Sequence, residues 1–291
     1  MITTTKFGFL GLGQMGSPMA NNIAAGGFEL HVYDPAGTAK LAPKKAIAHD
    51  SLADVVTTVE TVFLSLPDGP VSCAVVTEIA NTPGCTVSVI VDLSTVGPQS
   101  AQDAGEIAAK SGIAYVDAPV SGGAAGAKAG SITVMWAGPG LEFERHQDVL
   151  NAFSKNQFHV GDKPGQGQTL KILNNFLSAT AMAATSEAML FGLSQGLEMK
   201  TMLDVVNVST GQNTASADKF PKRILTKTYD AGFKSALMAK DVKLYYENTK
   251  LANTPGNVGA TVSKIWSEHD EANPGSDFTR VYDFIRDNSK N

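Results

Sequence analysis

The chain has 291 residues, of which 43% are hydrophobic and 18% are charged, so it can bury a large core and its length suggests two domains. Its formal net charge of -5 leaves no basic surplus to neutralise phosphates, which argues against nucleic acid or an anionic membrane as the principal partner. Small molecules are therefore the expected ligands.

The cysteines and the N-terminal residues indicate in which cellular compartment the protein is expected. Cys73 and Cys85 are the two cysteines, and neither lies in a CxxC pattern or a Cys/His cluster, which argues against a disulfide scaffold or a zinc site. The start, MITTTKFGFLGLG, lacks a basic segment followed by a signal-length apolar stretch, and no uninterrupted run approaches the length of a membrane span. We expect a cytoplasmic protein with no membrane partner.

The first half of the chain alternates short apolar runs with helix-like stretches. The runs are FGFLGLG, FELHVYD, TVFLSLP, VSVIVDLS, IAYVDAP, ITVMWAG and QFHVGD. Continuous apolar strands separated by helices are typical of a parallel sheet covered on both faces. This pattern predicts a Rossmann-type α/β domain over residues 1–163, with a mostly parallel, doubly wound sheet.

After GDKPGQGQ the pattern changes. Residues 169–195 contain no Pro and no strand-like block, and they carry Ala, Leu and Met at helical spacing. The remainder also reads as helices separated by Gly, Pro and Asn. We therefore predict an all-α domain over residues 164–291, joined to the first domain by one long helix.

A glycine-rich turn, GLGQMG, lies between the predicted strand Phe7–Leu10 and a predicted helix. Gly11 permits the tight turn, Gly13 the close approach of a phosphate, and Gly16 the packing of helix on strand. The free N–H groups and dipole of the helix start can then face a pyrophosphate. The predicted cofactor-binding residues of this turn are Gly11, Leu12, Gly13, Gln14, Met15 and Gly16.

Asp34 ends the second predicted strand, 18 residues beyond Gly16. A carboxylate here can accept both hydroxyl groups of an adenosine ribose and repels a 2′-phosphate, and no basic residue follows before Lys40. The alternative is a helix N-cap or a turn residue before Pro35. The pattern favours NAD as cofactor, with NADP possible.

The five histidines offer no evident catalytic group. His31 and His159 lie in predicted strands, and His49, His146 and His269 lie in polar surroundings, so structural or solvated roles are expected. No His/Asp dyad and no ligand spacing for a metal emerges. We predict no metal site.

Lys171 is the better candidate for acid–base chemistry. It lies near the start of the long helix, where Lys171, Asn175 and Ser178 share one face. Desolvation or a nearby positive charge must lower the lysine pKa for it to act as a base. The alternative is a lysine that reaches solvent while Asn174 and Asn175 fix an interdomain hinge.

A second polar, glycine-rich stretch is DAPVSGGAAGAKAGS. Ser121, Gly122 and Gly123 follow a predicted strand end, and glycines there expose N–H groups that can hold a carboxylate. This predicts an anion cradle for a substrate acid. The alternative is a flexible surface loop.

Four segments of the chain resemble the 3-hydroxyacid (β-hydroxyacid) dehydrogenase family: FLGLGQMGSPMA, DAPVSGGAAGAKAG, GQGQTLKILNN and FKSALMAKDVKL. The resemblance implies a Rossmann domain, a long interdomain helix, and a helical domain for substrate binding that often supports dimers or tetramers. It also implies an NAD(P)-dependent oxidoreductase that interconverts a small 3-hydroxy carboxylic acid with its semialdehyde or keto acid.

The same resemblance implies roles for individual residues. Lys171 corresponds to the catalytic lysine, and Asn175 orients the substrate. The further substrate-binding residues implied are Ser121, Gly122, Gly123, Phe233 and Asp241, of which Asp241 supports the lysine. The further cofactor-contacting residues implied are Leu66, Pro67, Thr95 and Lys240. Trp136 and Lys234 have no role in the family pattern.

Several readings stay open from the sequence. Within the family, the acid can be 3-hydroxyisobutyrate, glycerate with tartronate semialdehyde, serine, 4-hydroxybutyrate or 2-(hydroxymethyl)glutarate. An imine reductase shares the architecture but generally lacks the lysine and the cradle. A catalytically silent dinucleotide-binding module is the alternative from another class. The direction of the reaction and the oligomer size stay open too.

Overall fold

A computed structural model describes residues 6–288 of the chain. The chain divides into two compact units, and the boundary lies between Lys171 and Ile172. The change of sequence pattern near residue 163 comes before the long helix, whereas this boundary lies within it.

The first unit contains nine strands in one sheet. They are β1 (Lys6–Leu10), β2 (Glu29–Tyr33), β3 (Ile47–Ala48), β4 (Thr61–Leu64), β5 (Val89–Asp92), β6 (Ala114–Asp117), β7 (Val120–Ser121), β8 (Ile132–Ala137) and β9 (Ser154–Gly161). The strand order is β3-β2-β1-β4-β5-β6-β8-β7, and β9 pairs with β8. β1 to β6 pair in parallel, which confirms the mostly parallel sheet.

The sheet departs from the parallel pattern beyond β6. β8 runs antiparallel to both β6 and β7, in one unbroken register from Asp117↔Ala137 to Ser121↔Thr133. β6 and β7 therefore form one strand, interrupted at Pro119, that continues beyond the carboxyl edge of the parallel sheet. The run ITVMWAG is a strand as predicted, but its direction depends on this tertiary pairing and not on its composition.

Between residues 6 and 165 the first unit has eight helices: α1 (Gly16–Ala25), α2 (Thr38–Leu41), α3 (Leu52–Val56), α4 (Gly69–Asn81), α5 (Pro98–Lys110), α6 (Gly123–Ala129), α7 (Gly140–Arg145) and α8 (Gln147–Phe153). Their starts follow local rules. Ser51 accepts a hydrogen bond from the N–H of Asp54 at α3, Asp68 accepts one from Val71 at α4, and α4 and α5 have Pro in the first turn.

Alternate residues of the central strands enter two separate cores. Phe9 and Val91 pack in one core, whereas Leu10 and Ile90 pack in the other. Because successive strand residues point to opposite faces, the sheet has a hydrophobic layer on each side. Trp136, which had no assigned role, is fully buried in the first of these cores.

The second unit is helical, as predicted. It comprises most of α9 (Gln166–Ser194), then α10 (Met199–Val206), a π-helix (Ala215–Ile224), α11 (Ser235–Leu251), α12 (Asn257–Ala272), a 3₁₀ turn (Phe278–Arg280) and α13 (Val281–Asn288). Trp266 is fully buried in its core and donates a hydrogen bond to the carbonyl of Ala179 in α9 (3.3 Å).

By length and composition alone, α9 is also apolar enough to cross a membrane, although polar residues interrupt its apolar sequence. Its most apolar window has a mean hydropathy of 1.3, and 44% of that window is buried within the protein. Core helices of soluble proteins pass the same test. α9 carries Gln168, Lys171 and Asn175, all buried within the fold.

Candidate active site

The glycine turn between β1 and α1 is shaped by its first and last glycines. Gly11 has a φ of +93°, and a Cβ there would lie 2.3 Å from the carbonyl oxygen of Ser65. A Cβ on Gly16 would lie 2.0 Å from the carbonyl oxygen of Gly11. At Gly13, by contrast, a Cβ would meet no protein atom within 4 Å. The turn is thus closed by packing at its ends and open at its middle, where the phosphate would lie.

Asp34 is tied to this turn. Its Oδ2 accepts a hydrogen bond from the N–H of Leu12 (2.6 Å), and its Oδ1 accepts one from Ala36 (2.8 Å). The second bond is the local turn that the sequence left as an alternative, while the first bridges β2 to the glycine turn. The carboxylate therefore lies beside the backbone of the glycine turn.

The loops after β4 and β5 adjoin one another. The N–H of Leu66 donates to Oγ of Ser94 (2.7 Å), and the N–H of Ser94 donates to Oδ1 of Asp92 (2.9 Å). Leu66 and Pro67 therefore lie beside the loop that carries Thr95. All three predicted cofactor contacts follow the carboxyl ends of parallel strands, where ligands of open α/β sheets bind.

The proposed anion cradle is a strand end joined to a helix. Ser121 is the last residue of β7, Gly122 has a φ of +136°, and Gly123 (φ +64°) begins α6. The alternative of a flexible surface loop is wrong: the Ala-rich segment favours helix once the two glycines have made the turn. The cradle is thus a helix N-terminus beyond the carboxyl edge of the sheet.

Lys171 lies in the second turn of α9. Only 7% of the residue is exposed, which does not fit a lysine that reaches solvent. Asn175, one turn later on the same helix, is 6% exposed.

Asn175 is fixed within the second unit. Its Nδ2 donates to Oδ2 of Asp241 (2.5 Å), and Nζ of Lys240 lies 3.6 Å from Oδ1 of Asp241. The structure therefore brings together three of the predicted residues, Asn175, Lys240 and Asp241, from α9 and α11. Phe233 lies just before α11, also in the second unit, and its ring packs against that of Phe278.

Two buried acids at neighbouring strand ends were not singled out from the sequence. Asp92 ends β5 and accepts hydrogen bonds from the hydroxyls of Ser72 and Tyr115. Asp117 ends β6 and accepts from the N–H groups of Gly165 and Gln168, each at 2.8 Å. The signal was present in VIVDLS and AYVDAP, where an acid ends each of two adjacent apolar runs.

Burial raises the pKa of Asp117 from its ordinary value of 3.8 to about 7, against the opposing effect of the two N–H donors. The folded protein thus binds a proton here that the unfolded chain releases near pH 4. We expect the contribution of Asp117 to the free energy of unfolding to fall as pH rises from about 4 to about 7. Asp117→Asn should remove that slope.

The measurement is urea unfolding between pH 5 and pH 8 in a Trp266→Phe background, where the fluorescence of Trp136 reports on the first unit. Equal pH slopes with and without Asp117→Asn would contradict the prediction.

The five histidines make hydrogen-bond contacts with other groups of the protein. His31 contacts His49 (2.8 Å), His146 contacts Thr61 (3.0 Å) and His269 contacts Ser235 (2.9 Å), while Nε2 of His159 lies 2.9 Å from the carbonyl oxygen of Gly138. Within residues 6–288, no group of three or more His, Cys, Asp or Glu residues could hold a metal ion.

Comparison with known proteins agrees with these features. Residues 6–161 match the family model described as the NAD binding domain of 6-phosphogluconate dehydrogenase. Residues 165–285 match the one described as the NAD-binding domain of NADP-dependent 3-hydroxyisobutyrate dehydrogenase. The two matches and the glycine turn define the class: the chain is an NAD(P)-dependent oxidoreductase.

Relatives of known activity extend this result. The chain is 36% identical to 2-(hydroxymethyl)glutarate dehydrogenase of Eubacterium barkeri, over 91% of this chain and 89% of that protein. It is 33% identical to 3-hydroxyisobutyrate dehydrogenase of Pseudomonas aeruginosa, over 97% and 99%. The structure of Mycobacterium tuberculosis 3-hydroxyisobutyrate dehydrogenase with L-serine superposes with a TM-score of 0.90 at 27% identity, covering 98% and 100%. The chain belongs to the 3-hydroxyacid dehydrogenase family.

Proposed function

We propose that this protein transfers a hydride between a small 3-hydroxy carboxylic acid and NAD, with Lys171 as the general acid and base. The observation that carries the proposal is the burial of Lys171 one helical turn from Asn175, whose amide is fixed by Asp241. Asn175 would hold the substrate, and Ser121 with the N–H groups at the start of α6 would hold its carboxylate.

The residues of the first unit fit a dinucleotide. Gly13 leaves space in which the phosphates would lie, and Asp34 and the loop of Leu66 would contact the adenosine half. Thr95 and Lys240 would contact the rest of the cofactor. When bound, the nicotinamide ring accepts or supplies the hydride.

Lys171 performs the proton transfer in this proposal. In oxidation, its neutral amine accepts the proton of the substrate hydroxyl at Nζ. In reduction, its ammonium donates a proton to the carbonyl oxygen of the substrate and stabilises the negative charge that develops there. Asn175 keeps the substrate oriented by hydrogen bonding, and Asp241 keeps Asn175 in place.

A panel of short 3-hydroxy acids, assayed with both cofactors by the absorbance of the reduced nicotinamide, tests the function. It includes 3-hydroxyisobutyrate, serine, glycerate, 4-hydroxybutyrate and 2-(hydroxymethyl)glutarate. Turnover of at least one of them is the expected result. Cofactor binding without any turnover would instead favour a silent dinucleotide-binding module.

The preference for NAD over NADP is assigned to Asp34. Asp34→Asn keeps the shape of the side chain but removes its charge and one of its two acceptors, so we expect the NAD:NADP ratio of kcat/KM to fall by at least about tenfold. Asp34→Ala removes both acceptors, those for Leu12 and for Ala36, so it should lower kcat/KM with both cofactors.

The matched control is Asp50→Asn, which neutralises an exposed acid of the same unit. If Asp34→Asn leaves cofactor discrimination unchanged while activity persists, Asp34 has only a structural role.

We propose further that the protein is a homodimer or homotetramer. An exposed apolar stripe on α9, formed by Leu173, Leu177, Ala184, Ala188 and Phe191, supports this: Leu177 and Phe191 are 59% and 68% exposed. A lipid surface is the other candidate for such a stripe. Because α9 also carries buried polar residues, we favour contact of this stripe with a second copy of the chain over contact with a lipid surface.

Leu177→Lys combined with Phe191→Glu should convert the oligomer into monomers in light scattering coupled to gel filtration. Leu141→Lys is the control, because Leu141 is equally exposed but lies on α7. A monomeric wild-type protein, or a double variant of unchanged mass, would contradict this assignment.

We place the protein in the cytoplasm. The two free cysteines, Cys73 and Cys85, support this, since both are only partly buried and reduced thiols persist in a reducing compartment.

A further inference from the structure

The first turn of α9 is held by two polar side chains that take no part in the proposed proton transfer. Gln168 and Asp117 are both 0% exposed. Polar groups are stable in such surroundings only when they are hydrogen bonded, so their partners define what they do.

Gln168 uses both ends of its side-chain amide. Its Oε1 accepts hydrogen bonds from the N–H groups of Val96 (3.0 Å) and Gly97 (3.2 Å). Its Nε2 donates to the carbonyl oxygen of Ser94 (2.9 Å). The glutamine therefore binds the backbone on both sides of Thr95, in the loop that follows β5.

The same turn also rests directly on the sheet. Asp117 accepts hydrogen bonds from the N–H groups of Gly165 and Gln168. A Cβ on Gly167 would lie 2.6 Å from the carbonyl oxygen of Met135 and 2.8 Å from that of Asp117. The helix start is thus fixed against β6 and β8 and, through Gln168, against the loop after β5.

Lys171 follows Gln168 by three residues, so the two side chains are neighbours on the surface of α9. We propose that Gln168 is a positioning residue for hydride transfer: it holds the helix turn that carries Lys171 in a fixed place relative to the loop Ser94–Gly97. The inference rests on the proposed function, since it assumes that Lys171 is the acid–base group. Misplacement by about 1 Å is enough to cost a large factor in rate.

The test is a double-mutant cycle. Gln168→Met keeps the length of the side chain and removes its three hydrogen bonds, and it is made in the wild type and in Lys171→Ala. We expect kcat at saturating substrate and cofactor to fall about 10- to 100-fold in the wild type, and not to fall further in Lys171→Ala. If Gln168 acts only by positioning Lys171, its replacement has no further effect on kcat once the lysine side chain is absent.

The control is Gln147→Met. Gln147 is a partly buried glutamine of the same unit that donates to the carbonyl of Phe143 in α7. This control should leave kcat unchanged. The pH profile of kcat should shift in Gln168→Met and not in Gln147→Met, because only the former alters the surroundings of the lysine.

Gln168→Glu covers the case in which Gln168→Met does not fold. It keeps an acceptor for Val96 and Gly97, and only its protonated carboxyl group can donate to Ser94, so a loss of kcat that is confined to the wild-type background and grows as pH rises is expected. Equal losses in both backgrounds, or an unchanged kcat, would overturn the positioning role. If Lys171→Ala itself retains wild-type kcat, the proposed function fails instead.

Discussion

Lys171→Ala is expected to lower kcat by at least about 10²- to 10⁴-fold, the usual contribution of a positioned proton donor or acceptor, while the cofactor still binds. The loss should be confined to kcat and kcat/KM because the glycine turn and Asp34 do not depend on the lysine. The measurement is steady-state turnover of the best acid from the substrate panel, together with a titration of cofactor binding.

Two further variants separate the roles of the lysine. Lys171→Met keeps the length without the charge, and Lys171→Arg keeps a charge that does not readily give up its proton. If proton transfer is the main contribution, both should be as slow as Lys171→Ala, whereas a purely electrostatic role would leave Lys171→Arg active. Lys155→Ala, which removes an exposed lysine on β9, is the control. Near-wild-type turnover in Lys171→Ala would contradict the assignment.

Gly13→Ala is expected to weaken NAD binding by about 100-fold or more without loss of stability. A methyl group at this position meets no protein atom within 4 Å, so the fold accepts it. It would occupy the space through which the pyrophosphate approaches the backbone. Isothermal titration with NAD and thermal unfolding together measure the two quantities.

Two other glycines provide the comparison. Gly140→Ala, at the start of α7, places its Cβ at an ordinary 3.5 Å from His159 and should change neither quantity. Gly16→Ala places its Cβ 2.0 Å from the carbonyl oxygen of Gly11, so it should lower stability as well as affinity. Unaltered NAD affinity in Gly13→Ala would show that the cofactor does not cross the turn.

The parts of the fold that depend on local pattern followed from the sequence. The apolar runs that became β1, β2, β4, β5 and β6, the glycine turn, and the long helix from residue 169 to 195 are all encoded by residues close together in the chain. The observed α9, Gln166–Ser194, differs from that prediction by only a few residues at each end.

What did not follow depends on pairing between distant residues. The two-residue strands β3 and β7 are too short to produce an alternation, and the antiparallel direction of β8 comes from its register with Asp117 and Ser121. Gln168 was visible in GQGQTLK but looked like an ordinary polar helix residue. Its role depends on a loop that lies more than 70 residues earlier in the chain.

The hydrogen bond that Asp34 accepts from the N–H of Leu12 ties the glycine turn to the end of β2 through groups of the protein alone. We therefore expect cofactor binding to order little of this turn and to lose little conformational entropy there. The Asp34 carboxylate already accepts hydrogen bonds from Leu12 and Ala36, so we expect only a modest gain in enthalpy from its contact with the ribose. We expect the affinity for the cofactor to come from preorganisation, with fast association and no slow closing of the turn.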